Sequence, residues 1–329
     1  MIVSIGILAY NEALRIGETL RSLLAQSAFG VRDEEAGVRE WEVVVVPNGC
    51  TDATVEVAER TWAASARPSA PVRQIVSVLA KGDKSSAWNH FVHGVSRVDA
   101  DILVLVDADI EFGSDDTLLN CLKLLRSDAY ADVAVDTPLK RVARKTNPNW
   151  RERLSLRQSR LALSDDVAIC GQFYCARAVC LRKIWMPPGL SVEDGYLRAL
   201  VVTDCFRREV DVRRVVRAPN ALHYYDGLDN IKALIHHETR IVIGTALNCY
   251  LTWDFLRFAT RADGLGAGDL VRSQLASDPD WYRALMENQV RTRGRWVLPS
   301  GMLFRRFETL RGQGWQVALR RLPVSIIGS

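Results

Sequence analysis

The sequence predicts an α/β protein, with a mainly parallel central sheet flanked by helices and a mostly helical C-terminal extension. Two observations carry this. Short apolar, β-branched runs alternate with helical stretches through the first half of the chain, the pattern of a sheet covered on both faces. The chain's 329 residues, 48% hydrophobic and 25% charged, suffice to bury a large core.

The elements follow in order. Residues 2–8 form a continuous apolar run, and Leu14, Leu20, Leu23 and Leu24 then keep near-helical spacing. A polar loop over 28–40 precedes a second buried strand at 42–46. Residues 51–66 read as helix, 73–79 as a third strand, 85–95 as helix and 102–106 as a fourth strand. Beyond Asp136 the pattern loosens. A basic helical segment is expected over 149–163, a strand over 172–176, helices over 192–202 and 228–259, and an Arg- and Trp-rich region after Asp263. In a right-handed crossover sheet the ligand crevice lies beyond the carboxyl ends of the strands. The loops after these strands are therefore the places to look for chemistry.

No apolar run reaches the roughly 18 residues of a membrane span, and residues 1–10 lack the basic start and cleavage site of a secretory leader. A cytoplasmic protein is expected. Seven cysteines, an odd number without a C-x-x-C pair, read as reduced core residues. The net charge of +4 is unevenly spread. Residues 140–160 carry eight basic side chains against Glu152 alone, and 281–329 carry nine arginines against Glu287 and Glu308. The body of the chain is therefore acidic, and the two basic segments suggest an anionic partner or surface.

The fourth strand ends in Asp107-Ala108-Asp109. The extended pitch points both carboxylates to one side, giving two hard oxygen ligands that suit Mg²⁺ or Mn²⁺ together with substrate phosphate. A second pair, Glu193-Asp194, opens a later helical stretch. One member could act as general base, although acidic residues in a first turn also complement the helix dipole.

The order of these features resembles glycosyltransferase family 2, whose members have the glycosyltransferase-A fold with its Rossmann-like sheet. Ser4 to Glu12, with Tyr10-Asn11-Glu12 at its end, resembles the opening strand and turn. Pro47-Asn48-Gly49-Cys50-Thr51-Asp52 resembles the turn after the second strand, and Lys84 to Asn89 the Lys-Gly-x-Ala-x-Asn segment. Asp107-Ala108-Asp109 matches the Asp-x-Asp motif, Gly171 to Arg177 the glycine-to-arginine segment and Glu193-Asp194 the Glu-Asp motif. Several motifs in the right order are far more specific than any one of them.

The resemblance implies an inverting transferase that moves one sugar from a nucleotide-diphosphate sugar, UDP-linked by default, to a hydroxyl acceptor with the help of Mn²⁺ or Mg²⁺. Guanine and deoxythymidine donors stay open, because Asn48 stands where the family usually has aspartate. By resemblance Ala9, Tyr10, Asn11, Glu12 and Asn48 hold the nucleoside, and Lys84 approaches the phosphates. Asp107 and Ala108 lie along the donor, with Asp109, Asp107 and His223 as metal ligands. Arg240 is a further phosphate candidate. Asp194 is the expected base, with Glu193 beside it.

Residues 1–250 would form the catalytic domain, 1–136 for the donor and 137–250 for the acceptor, with 251–329 a basic helical extension. The interleaved aromatics and arginines of 281–329 suggest peripheral contact with an anionic membrane and a lipid-linked acceptor. Packing against the domain is the competing explanation. Nothing in the sequence reads nucleic acid. A sugar-phosphate nucleotidyltransferase ranks lower, because the loop after strand one is Ala-Tyr-Asn-Glu rather than glycine-rich and basic. A non-catalytic relative is disfavoured by the intact carboxylates.

Overall fold

A computed structural model describes residues 1–30, 37–65, 72–145, 167–227, 240–241 and 243–292. Its centre is a sheet of eight strands in the order β3-β2-β1-β4-β7-β6-β8-β5. These are β1 (Ile2–Ala9), β2 (Glu40–Pro47), β3 (Val72–Val76), β4 (Ile102–Asp107), β5 (Glu111–Phe112), β6 (Val133–Lys140), β7 (Phe173–Arg177) and β8 (Val215–Tyr225). β1 pairs in parallel with both β2 and β4, and β2 in parallel with β3. The carboxyl ends of the first four strands thus open on one edge. β7 inserts antiparallel between β4 and β6, and β6 pairs in parallel with β8.

Every residue of β1 is buried, as expected of a strand covered on both faces. The two-residue strand period sends Ile5, Ile7, Val43, Val45, Val104 and Val106 into one core. It sends Leu8, Val44, Val46, Leu103 and Leu105 into the other. Helices α1 (Ile16–Leu24) and α2 (Thr54–Ala64) follow β1 and β2, and α4 (Thr117–Ser127) packs on β8 and β6. α3 (Lys84–Asn89) runs on through a π-type turn at His90–Val95. Its Asp83 caps it by accepting from the Ser86 N–H at 2.8 Å.

After α5 (Glu193–Val202) and β8, helix α6 spans 243–263, widening to a π-type helix over Tyr250–Leu256. α7 (Ala267–Ser277) and α8 (Trp281–Thr292) follow. Leu251, Leu256, Leu270, Val271, Tyr282 and Met286 join the same core as Leu103 and Leu105, so the described residues between 251 and 286 share a core with the sheet.

The first four strands and their helices lie where the sequence places them. β6 does not follow from the sequence, because Asp136 and Pro138 break its apolar run and its pairing with β8 shifts register between Val135 and Thr137. β8 is similarly interrupted by Pro219 and by Asn220, whose φ is +56°. The basic helix expected over 149–163, residues 228–239 and the tail from 293 lie outside the described residues. All seven cysteines are free thiols, and among the described residues no helix is long and apolar enough to cross a membrane.

Candidate active site

The turns after β1, β2 and β3 are stitched together by short-range polar contacts. Asn11 takes a left-handed φ of +54°, which asparagine tolerates better than most residues. Its Oδ1 accepts from the Thr51 N–H at 2.8 Å. The Glu12 N–H donates to Thr54 Oγ1 at 2.8 Å and the Ala13 N–H to Asp52 at 3.1 Å. Gly49, with φ +66°, lies against the next turn so closely that a Cβ would stand 2.2 Å from the Gly82 nitrogen.

Several predicted donor contacts turn inward. Asn48 is 3% exposed; its Nδ2 donates to the Ala9 carbonyl at 2.8 Å and its Oδ1 accepts from the Asp83 N–H at 3.2 Å. Its side chain ties the turns after β1, β2 and β3 together. Ala9 is fully buried, with its carbonyl taken by Asn48. Ala108 is buried too: its N–H donates to the Leu8 carbonyl and its carbonyl accepts from Thr19 Oγ1. Tyr10, Asn11 and Glu12 remain on the open side, with Tyr10 58% exposed.

At the end of β4 the Asp107 N–H donates to the Gln172 carbonyl at 2.7 Å, so the strand that carries one motif is fixed by the segment before β7. The Lys84 ammonium lies 2.9 Å from Asp107 and 2.8 Å from Glu193, and donates to the Gly171 carbonyl at 3.3 Å. Residues 84, 107, 171 and 193, distant in sequence, are thereby joined through one cation. Glu193 and Asp194 line the same cleft as Lys84, Asp107, Gly171 and Tyr174. Tyr174 is fixed there by the Trp88 indole N–H, which donates to its hydroxyl at 2.6 Å.

The electrostatics divide the carboxylates into two groups. Burial alone would raise the Glu193 carboxyl, but the Lys84 charge and hydrogen bond, with Arg240 contributing, hold it below the usual range. Arg240 thus acts on Glu193. Burial would lower Lys84, but Asp107 and Glu193 hold it well above the ordinary lysine value. Glu12, by contrast, is pushed up to about 7 by burial and by the charges of Asp109, Asp107 and Asp52. Asp107 rises to about 6, through burial first and with Asp109 adding to it against the pull of Lys84. Carboxylates at the ends of β1 and β4 therefore carry more negative charge than their neighbours neutralise. That is a hard-oxygen environment suited to a divalent cation.

His223 stands apart from this group. It is fully buried, its Nδ1 bonded to the Asp136 carboxylate at 2.8 and 3.0 Å and its Nε2 facing Gln172 Oε1 at 3.3 Å. Among the described residues no three His, Cys, Asp or Glu side chains form a ready ligand set. Asp107, Asp109 and His223 thus do not form a ready cluster, and the His223 ring is held by Asp136 and Gln172. The sequence reading missed Asp136, Gln172 and Tyr174, which sit in strands or loops with no local chemical signature.

The described part of the first basic segment is neutralised internally. Arg141 pairs with Glu18 at 3.0 Å, Glu111 at 2.7 Å and Asp226 at 3.1 Å, and Arg144 pairs with Glu111 at 2.8 Å. These arginines hold the loop after β6 to α1, β5 and the end of β8, a structural use of charge that a residue count does not distinguish from a binding surface.

The profile of Glycosyl transferase family 2 matches residues 4–183, more than half of the chain, and the protein belongs to that family. The fold is of the glycosyltransferase-A type. It is similar to the mannosyltransferase PcManGT from Pyrobaculum calidifontis, solved with GDP-Man and Mn²⁺. The two share 18% identity at a TM-score of 0.54, over 94% of this chain and 84% of that one. A glucosyl-3-phosphoglycerate synthase from Mycobacterium tuberculosis, solved with Mn²⁺, UDP and glucosyl-3-phosphoglycerate, is also 18% identical. Its TM-score is 0.49, over 75% of this chain and 80% of that one. No curated protein sequence matches the chain.

Proposed function

We propose that the protein is a metal-dependent, inverting glycosyltransferase that moves one sugar from a nucleoside-diphosphate sugar, UDP-linked by preference, to an acceptor hydroxyl. The observation that carries the reading is the convergence of Asp107 with Glu193 and Asp194 on one cleft, bridged by Lys84. In this reading Tyr10, Asn11 and Glu12 border the nucleoside. Asp109 and Asp107 hold Mn²⁺ or Mg²⁺, whose excess-carboxylate surroundings fit it. When bound, the metal offsets negative charge on the departing diphosphate.

The chain's own residues supply the rest. Glu193 is committed to Lys84, and Asp194, the second acidic residue of the motif, is the carboxylate that accepts the acceptor's hydroxyl proton. One base acting opposite the leaving group gives a single displacement, with inversion at the anomeric carbon and no covalent sugar-enzyme intermediate. Lys84 orients Asp107 and Glu193 relative to each other, and Arg240 adds positive charge beside the pair. A lipid-linked or cell-envelope acceptor, and peripheral membrane contact through the basic C-terminal segment, complete the proposal. A panel of nucleotide sugars with Mn²⁺, each offered with candidate acceptors, tests it. The expected result is release of nucleoside diphosphate from one donor, coupled to acceptor and abolished by chelator. Release of pyrophosphate instead would contradict it.

A further inference from the structure

Glu193 and Asp194 follow directly on Val192, whose φ of +60° places a β-branched residue in the left-handed region. Such a residue is a steric outlier, and it persists only where its surroundings over-determine it. Two residues of α6 surround it here. Asn248, 4% exposed, donates through Nδ2 to the Ser191 carbonyl at 3.1 Å and also to the Val192 carbonyl. Its Oδ1 has no hydrogen-bond partner among the described residues, so the polar contacts of this side chain are given to the turn.

Gly244 lies four residues earlier, on the same helix face. A Cβ there would stand 2.5 Å from Val192 Cγ2, 2.9 Å from Ser191 Oγ and 3.1 Å from the Ser191 carbonyl oxygen. Glycine is therefore what lets α6 approach close enough for Asn248 to reach both carbonyls. Neither residue lines the cleft itself.

We propose that Asn248 and Gly244 are positioning residues: together they clamp the left-handed turn at 191–192 and so set where Glu193 meets Lys84 and where Asp194 stands. The kinetic consequence rests on the proposed transfer reaction, whereas the clamp itself is a property of the fold.

The test compares Asn248→Ala and Gly244→Ala with the parent by hydrogen exchange and by steady-state kinetics. Exchange of amides 192–195 should accelerate by about tenfold in both variants, while amides of the β1 and β2 turns stay unchanged. kcat should fall by about tenfold or more with donor KM unchanged, as expected when a base is displaced without loss of the donor site. Val192→Gly, which removes the Cγ2 that meets the new methyl and accepts a positive φ, should recover much of the kcat of Gly244→Ala. Unchanged exchange at 192–195 together with full kcat would overturn the clamp and leave the transferase reading intact. Faster exchange confined to that turn, in a protein that transfers no sugar from any donor, would support the clamp and overturn the transferase reading.

Discussion

The two sides of the cleft are built differently. The side we assign to the donor is made of turns that directly follow parallel strands, so each motif is local: β1 leads into Tyr10-Asn11-Glu12, β2 into Asn48-Gly49 and β4 into Asp107-Ala108-Asp109. These turns hold one another through backbone groups and a glycine contact between Gly49 and Gly82. The other side is a single strained turn at the start of α5. It is fixed by residues far away in sequence, Lys84 across the cleft and Asn248 behind it. The donor side is thus determined by topology, while the Glu-Asp side depends on tertiary contacts. Damage should accordingly show as lost stability or donor binding on the first side and as lost turnover on the second.

The largest expected effect is on the second side. Asp194→Asn should reduce turnover by about 10² to 10⁴, the range for loss of a general base, with donor KM within a factor of two. Steady-state transfer kinetics checks this, and a variant with full turnover would remove Asp194 from the mechanism.

Next comes the link between the sides. Lys84→Met leaves Asp107 and Glu193 facing each other without their cation, and should cost roughly 3 kcal/mol of stability by urea denaturation, as for breaking a partly buried ion pair. The sign with pH follows from the carboxylates. Without Lys84 both hold protons more tightly in the native state than in the unfolded one. The deficit should therefore grow as pH rises from 5 to 8. A deficit independent of pH would mean that the lysine acts by packing.

A donor-side counterpart is Gly49→Ala. Left-handed backbone and the close approach to Gly82 together should cost about 2–3 kcal/mol, with weaker donor binding by calorimetry. kcat at saturating donor should change little. If kcat fell while donor affinity held, the division between the two sides would be wrong.

The smallest effect separates charge from structure. Glu12, raised to about 7, holds its proton more tightly folded than unfolded. Its ionisation therefore destabilises the native state as pH rises through the window from the ordinary glutamate value to about 7. Glu12→Gln should be relatively more stable than the parent at pH 8 than at pH 5, read as a difference in Tm. An equal difference at both pH values would mean that neither burial nor the neighbouring carboxylates raise Glu12.

Much of the donor side was legible in the sequence, because a buried strand followed by polar residues is a local pattern and its carboxyl end is a topological necessity. Asp107 and Asp109 were read this way, whereas Glu193-Asp194, at the start of a helix, was read through the resemblance to the family's Glu-Asp motif. The direction in which a turn residue faces is not local. Asn48 was read as a nucleoside contact, and nothing in the sequence signals that its amide bonds Ala9 and Asp83. The partner of His223 is not local either: Asp136, on a strand that Pro138 disguises, engages its ring. Two charges of the first basic segment have their partners within the fold: Arg141 and Arg144 answer Glu18, Glu111 and Asp226, residues that only the fold brings near.

The central claim is that one carboxylate, Asp194, activates an acceptor hydroxyl across the cleft from the donor phosphates, in a single displacement. The most direct measurement is the anomeric configuration of the transferred sugar by proton NMR of the fresh product, starting from a donor of known configuration. The account predicts inversion, a β-linked product from an α-linked donor. An α-linked product from that donor would contradict it.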